Sequence, residues 1–169
     1  MVRYLKMKIN SGPRIDPDQL WEKVRLYSCV SFDLFDTILK RNAAEPADVF
    51  SWIEEGCRGR FPGFRGKRIQ AEQEARAASP YEEVTLEEIY RSYPGLSPAE
   101  REELADRELS AERLFITVSP EMLLLYRRCR EAGKRVFFIS DIYLPEAFMT
   151  ELLSAFGLQD CDGLYVSSR

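Results

Sequence analysis

The residues able to do chemistry gather in one stretch of this 169-residue chain, Val30-Ser31-Phe32-Asp33-Leu34-Phe35-Asp36-Thr37-Ile38-Leu39. It holds two carboxylates, Asp33 and Asp36, and the hydroxyl of Thr37. A carboxylate on a fixed backbone can attack an electrophile or grip a metal ion. A neighbouring hydroxyl can hold a phosphoryl oxygen. A second stretch, Arg135-Val136-Phe137-Phe138-Ile139-Ser140, ends in another hydroxyl and is followed by Asp141. The plainer reading of Asp33 and Asp36 is that they cap a turn or start a helix, as aspartate often does.

Both stretches begin as short apolar runs rich in β-branched and aromatic residues, the pattern of buried parallel strands. In an open α/β sheet, ligands bind beyond the carboxyl ends of the strands. That geometry sets Asp33 and Thr37 from one strand, and Ser140 from a neighbour, over a common hollow. Gly163-Leu164-Tyr165-Val166-Ser167 reads as a third strand, with a helix from Leu144-Pro145 to Gly157 before it. Asp16-Pro17 opens a helix that runs into the first strand, with Trp21 in its apolar stripe. Met1–Ile15 reads as either a loose edge strand or an arm.

Leu39 to Gly133 is almost wholly helical in pattern. Helices are predicted over Pro46–Gly56 and Lys67–Ala78, then after a capping box at Thr85, after Ser97-Pro98, and after Ser119-Pro120. The order is strand, long helical insertion, strand, helix, strand. It predicts an α/β fold, a partial Rossmann-like parallel sheet with an all-helical cap inserted after its first strand. The core then comprises residues 1–40 and 133–169, and the cap residues 41–132.

The formal charge of -4 gives no sign of a nucleic-acid surface. The chain has no histidine, which removes Ser-His-Asp and Cys-His catalysis and imidazole metal sites. Cys29, Cys57, Cys129 and Cys161 are scattered without a C-x-x-C pair and read as reduced, mostly buried thiols. No apolar run approaches a membrane span and no signal-peptide pattern opens the chain, so a cytoplasmic location is expected, with no membrane or nucleic-acid partner.

Val30–Leu39 resembles the first motif of the haloacid dehalogenase-like hydrolase superfamily, an apolar strand leading into Asp-x-x-x-Thr. Val136–Ser140 resembles its second motif, and the helical block occupies the place of its cap. The wording Phe-Asp-x-Phe-Asp-Thr, Arg41 close behind it, and Ser-Asp-x-Tyr-Leu-Pro at 140–145 are similar to a bacterial subgroup found beside glycosyltransferases of surface-polysaccharide synthesis. The resemblance implies a phosphatase or phosphotransferase acting on a small phosphorylated or otherwise anionic substrate. It implies Asp33 as nucleophile and Mg²⁺ ligand, the Phe35 backbone carbonyl as second metal ligand, Thr37 bracing the turn, and Ser140 binding the phosphoryl group.

Two departures from the motif set alternatives. The usual acid/base aspartate two residues after the nucleophile is Phe35 here, which carries no proton and is closer to the dehalogenase branch, where a carboxylate attacks carbon. The superfamily's third-motif lysine and fourth-motif acidic pair do not follow the third strand, and Lys134 is expected to be a solvated residue near a helix end. The expectation is therefore a shortened relative with weak Mg²⁺ binding and weak or no turnover, and an open sheet edge that invites a homodimer. The same features allow a non-catalytic interaction or scaffold domain. Arg41 and Arg76 read as surface ion-pair partners before anion ligands.

Overall fold

The computed structural model describes residues 16–80 and 83–167; Met1–Ile15 and Tyr81 lie outside the described residues. The elements run α1 (Pro17–Val24), β1 (Cys29–Asp33), β2 (Leu39–Arg41), α2 (Asp48–Gly56), α3 (Phe64–Ala78) and α4 (Leu86–Ser92). They continue with α5 (Pro98–Phe115), β3 (Ile116–Val118), α6 (Pro120–Glu131), β4 (Arg135–Ser140), α7 (Glu146–Ala155) and β5 (Gly163–Val166). The architecture is α/β, with a three-stranded parallel sheet in the order β1-β4-β5 and a two-stranded sheet, β2-β3. Among the described residues no helix is long and apolar enough to cross a membrane.

Local signals start and stop the helices. The Asp16 carboxylate accepts the Asp18 and Gln19 amides at the start of α1, with Pro17 in its first turn. Thr85 with Glu88, and Ser97 with Glu100, close reciprocal capping boxes on α4 and α5. Ser119 caps α6, and Gly133, at φ 69°, lets the chain turn out of it into β4.

The described residues form two compact units. One, the sheet unit, comprises residues 16–40, 117–140 and 149–166. In it β1 and β4 pair Phe32 with Phe138, whose rings stand 6.1 Å apart; Tyr126 of α6 stacks on Phe138 at 5.7 Å. This aromatic layer buries the face of the sheet that α6 covers, and α1 packs on α6 through Leu20 and Val24. Lys134 is 7% exposed rather than solvated: its ammonium donates to the Arg25 and Tyr27 carbonyls after α1 and lies 5.4 Å from the Trp21 ring. Trp21 is half-buried and also lies under the Arg128 guanidinium, so it is a cation platform more than a core residue.

The other, the helical unit, comprises residues 41–116, 141–148 and 167. Its interior mixes rings with a buried ion pair. Phe64 stacks on Tyr93, and Tyr93 on Tyr90. Arg68, fully buried, donates to both oxygens of buried Glu108 at 2.7 and 2.8 Å and lies 4.7 Å from the centre of the Phe50 ring.

Three boundaries differ from the sequence reading. Residues 117–132, assigned there to the cap, group with the sheet because α6 packs against α1 and β4. Asp141–Phe148, assigned to the core, groups with the helices. The run read as almost wholly helical opens with β2 and is interrupted by β3, whose three residues each are too few to print a period in the sequence. All four cysteines are free; Cys57 and Cys129 are buried, and Cys29 and Cys161 are partly exposed.

Candidate functional site

The sheet unit puts Asp33 at the carboxyl end of β1, an outer strand of the three, and Ser140 at the carboxyl end of β4, its neighbour. The register pairs Asp33 with Ile139, so Ser140 lies one residue beyond that partner. By strand alternation Ser140 is on the buried face with Val136 and Phe138, rather than over a hollow common with Asp33. The ladder is prolonged by the Leu34 amide, which donates to the Ile139 carbonyl.

Immediately after Asp33 the chain folds into a tight turn. The Leu39 amide donates to the Leu34 carbonyl at 2.8 Å, and Leu34, Ile38 and Leu39 are fully buried, so three apolar anchors fix the turn from below. Asp36 is its exposed tip and adopts φ 58°, a left-handed conformation that aspartate tolerates better than most residues. The Lys40 ammonium caps the Asp36 carbonyl. Buried Thr37 directs its hydroxyl back to Asp33 Oδ2 at 3.0 Å. Asp33 and Thr37 are thus brought together, while Asp36 serves the backbone of the turn.

Ser140 is placed differently. Valine 136, Phe138 and Ser140 are the buried positions of β4, alternating with exposed Arg135 and Ile139. Ser140 is 2% exposed, and its Oγ has no hydrogen-bond partner among the described residues. Asp33, by contrast, is partly exposed. A buried hydroxyl without a partner forfeits about 1–3 kcal/mol of hydrogen bonding, which an oxygen-bearing ligand reaching it would restore.

The donors that the resemblance implies for Mg²⁺, the Asp33 carboxylate and the Phe35 backbone carbonyl, are hard oxygens of the kind the ion takes but fill only part of an octahedral shell. Among the described residues no group of three or more acidic or cysteine side chains could hold a metal ion. Lys134, whose ammonium is committed to the carbonyls after α1, is not available as a phosphate ligand.

In the helical unit, Arg41 forms a bidentate pair with Glu112 at 3.0 and 3.1 Å, and both side chains are largely shielded from water. Burial raises the Glu112 carboxyl pKa, with Arg41 opposing the effect. Arg76 pairs with Glu72, which also receives Arg68. Both arginines expected as ion-pair partners are so engaged, Arg41 in a buried rather than a surface pair.

Sequence reasoning did not find the Arg68–Glu108 pair or the cluster around it. Arg68 lies in a charged, helix-prone run, where arginine normally faces water. Its buried partner comes from a helix 40 residues further along the chain, beyond the reach of any local pattern. No protein-family model matches the chain, and neither does any curated protein.

Proposed function

We propose that this chain is a haloacid dehalogenase-like hydrolase domain of the phosphatase or phosphotransferase kind, with a Rossmann-like core and a helical cap, in which Asp33 is the nucleophile. The observation that supports the reading is a partly exposed carboxylate, Asp33, at the carboxyl end of β1, held by the hydroxyl of buried Thr37 from the turn that follows. In this reading the Asp33 carboxylate attacks phosphorus, the phosphoester oxygen leaves, and water then releases phosphate from the aspartyl intermediate. Thr37 holds one oxygen of Asp33 and so orients the carboxylate for attack. Ser140 donates to a phosphoryl oxygen once movement at the end of β4 admits the substrate. Asp33 and the Phe35 carbonyl would hold Mg²⁺, which would supply charge neutralisation. The Phe35 side chain provides no proton, so leaving groups that depart without protonation are favoured. The substrate class is a small phosphorylated or otherwise anionic molecule in the cytoplasm.

Release of phosphate from p-nitrophenyl phosphate, with and without Mg²⁺, tests the reading against an Asp33→Asn control. Turnover lost in Asp33→Asn supports it. Turnover indifferent to Asp33 removes it, and chloride release from 2-haloacids would move the nucleophile's target from phosphorus to carbon.

A second reading, a non-catalytic interaction domain, has its own support. Ile139 and Tyr165 are about half exposed and stand side by side in register, with Phe137 touching Tyr165 on the same face. This exposed apolar pair is suited to a partner, and the outer edge of β1 to a homodimer. Absence of Asp33-dependent turnover together with a concentration-dependent dimer by light scattering favours this reading.

A further inference from the structure

We propose that the substrate is an aryl phosphate, its ring lying on Ile139 and Tyr165 while its phosphorus faces Asp33; the inference deepens, and rests on, the function proposed above. The register of the parallel sheet carries it. Asp33 of β1 pairs with Ile139 of β4, and Ile139 pairs with Tyr165 of β5. Residues paired in this way project from the same face, so the three form one row across the sheet unit. Phe32, Phe138 and Ser140, one position away in their strands, are buried on the other face. The row spans two strand spacings, about 10 Å, which is the scale of a phosphate with a ring attached. One end is a partly exposed carboxylate, and the other two members are half-exposed apolar side chains.

The aromatic end of the row is held in place. Gly163 pairs with Phe137, and a Cβ on Gly163 would stand 3.0 Å from the Phe137 ring and 3.3 Å from the Tyr165 ring. The bare backbone lets both rings lie over it, with centres 6.1 Å apart. Tyr165 is thus braced by Phe137, and a braced ring loses less freedom when a ligand packs on it. Residue 35 points to the same ligand. Phe35, two residues after Asp33, has no proton to give a leaving group. A phenolate departs without one, and its flat apolar ring suits the row beside Asp33. In the step, an Asp33 oxygen bonds to phosphorus as the bond from phosphorus to the phenolic oxygen breaks. The phenolate leaves with that electron pair and takes its proton from water.

Phosphate release from phenyl and naphthyl phosphate tests the assignment, since the two leaving groups are similar in basicity and differ in apolar area. Wild type is expected to favour naphthyl phosphate in kcat/KM by about tenfold. Ile139→Ser and Tyr165→Ser are each expected to bring that ratio to about two or below, and Tyr165→Phe to keep it. A wild-type ratio near one, or a ratio that both serine variants leave intact, would overturn the proposal. The methyl resonances of Ile139 give a readout independent of turnover. They are expected to shift and saturate on titration with naphthyl phosphate, in wild type and in Asp33→Asn. Shifts that follow protein concentration and not the titrant mark the face as a contact between copies and overturn the proposal. If wild type shows no Asp33-dependent turnover, the functional reading fails, and the methyl shift still decides the site: saturation supports it, and no shift removes it.

Discussion

Thr37 donates its hydroxyl hydrogen to Asp33 Oδ2 across 3.0 Å, from a buried position at the far side of the turn that follows β1. The contact fixes the carboxylate that the proposed chemistry uses, and it closes the turn with a charge-assisted bond. Thr37→Val keeps the shape and removes the bond. It is expected to lower stability by about 1–2 kcal/mol in urea unfolding, within the range for hydrogen bonds to charged groups. Phosphate release per molecule of folded protein is expected to fall by about tenfold, because a carboxylate held less firmly spends less time in attack geometry.

The Arg68–Glu108 pair gives a sharper stability test. Burial works against the charge on Arg68, and the Glu108 carboxylate outweighs it, so its pKa is raised. Glu108→Ala leaves a buried guanidinium without its main partner and is expected to cost about 3–5 kcal/mol. Replacing both residues, Arg68→Met with Glu108→Leu, is expected to recover part of that loss, since neither charge of the pair remains and the Tyr90 hydroxyl keeps the Leu104 carbonyl as partner. Chemical denaturation of Glu108→Ala checks the first expectation, and of Arg68→Met, Glu108→Leu and the double variant, read as a double-mutant cycle, the second.

Glu54 predicts a pH dependence. Glycine 63, the residue before α3, has no side chain to cap it, and the Glu54 carboxylate of α2 substitutes by accepting the Gly63 and Arg65 amides at 2.8 and 3.0 Å. The Arg65 and Gly63 amides hold its pKa below the ordinary value of 4.5. A depressed carboxyl pKa in the folded state gives stability that is fully present above the unfolded value and is lost as pH falls through the folded one. Glu54→Gln is therefore expected to narrow the stability gap between neutral and acidic pH. Glu54→Ala is expected to cost about 1 kcal/mol at pH 7, as for a lost helix cap. Urea melts at both pH values provide the measurement.

Lys134 carries a further expectation. Its ammonium satisfies two carbonyls after α1 that would otherwise lie in a largely buried corner beside Trp21. Lys134→Met retains the apolar stem and is expected to destabilise the fold by about 2 kcal/mol through the stranded carbonyls. Tryptophan fluorescence should shift in the same variant, because a cation close to Trp21 is removed.

Sequence alone determined what depends on neighbours along the chain. Asp16-Pro17, Thr85 with Glu88, Ser97 with Glu100 and Ser119-Pro120 start helices because each cap bonds an amide two or three residues away. Cys29–Asp33, Arg135–Ser140 and Gly163–Val166 were legible as strands from their apolar runs, and their order implied a parallel sheet. Tertiary structure decided everything that needs a distant partner. It paired β2 with β3, assigned α6 to the sheet and Asp141–Phe148 to the helices, buried Arg68 against Glu108, and turned Lys134 inward onto carbonyls more than a hundred residues earlier. It also decided that the Ser140 hydroxyl is buried and partnerless while Asp33 stays partly open. Burial depends on which elements close over a side chain, and residues 30–40 or 135–140 read alone carry no information about that.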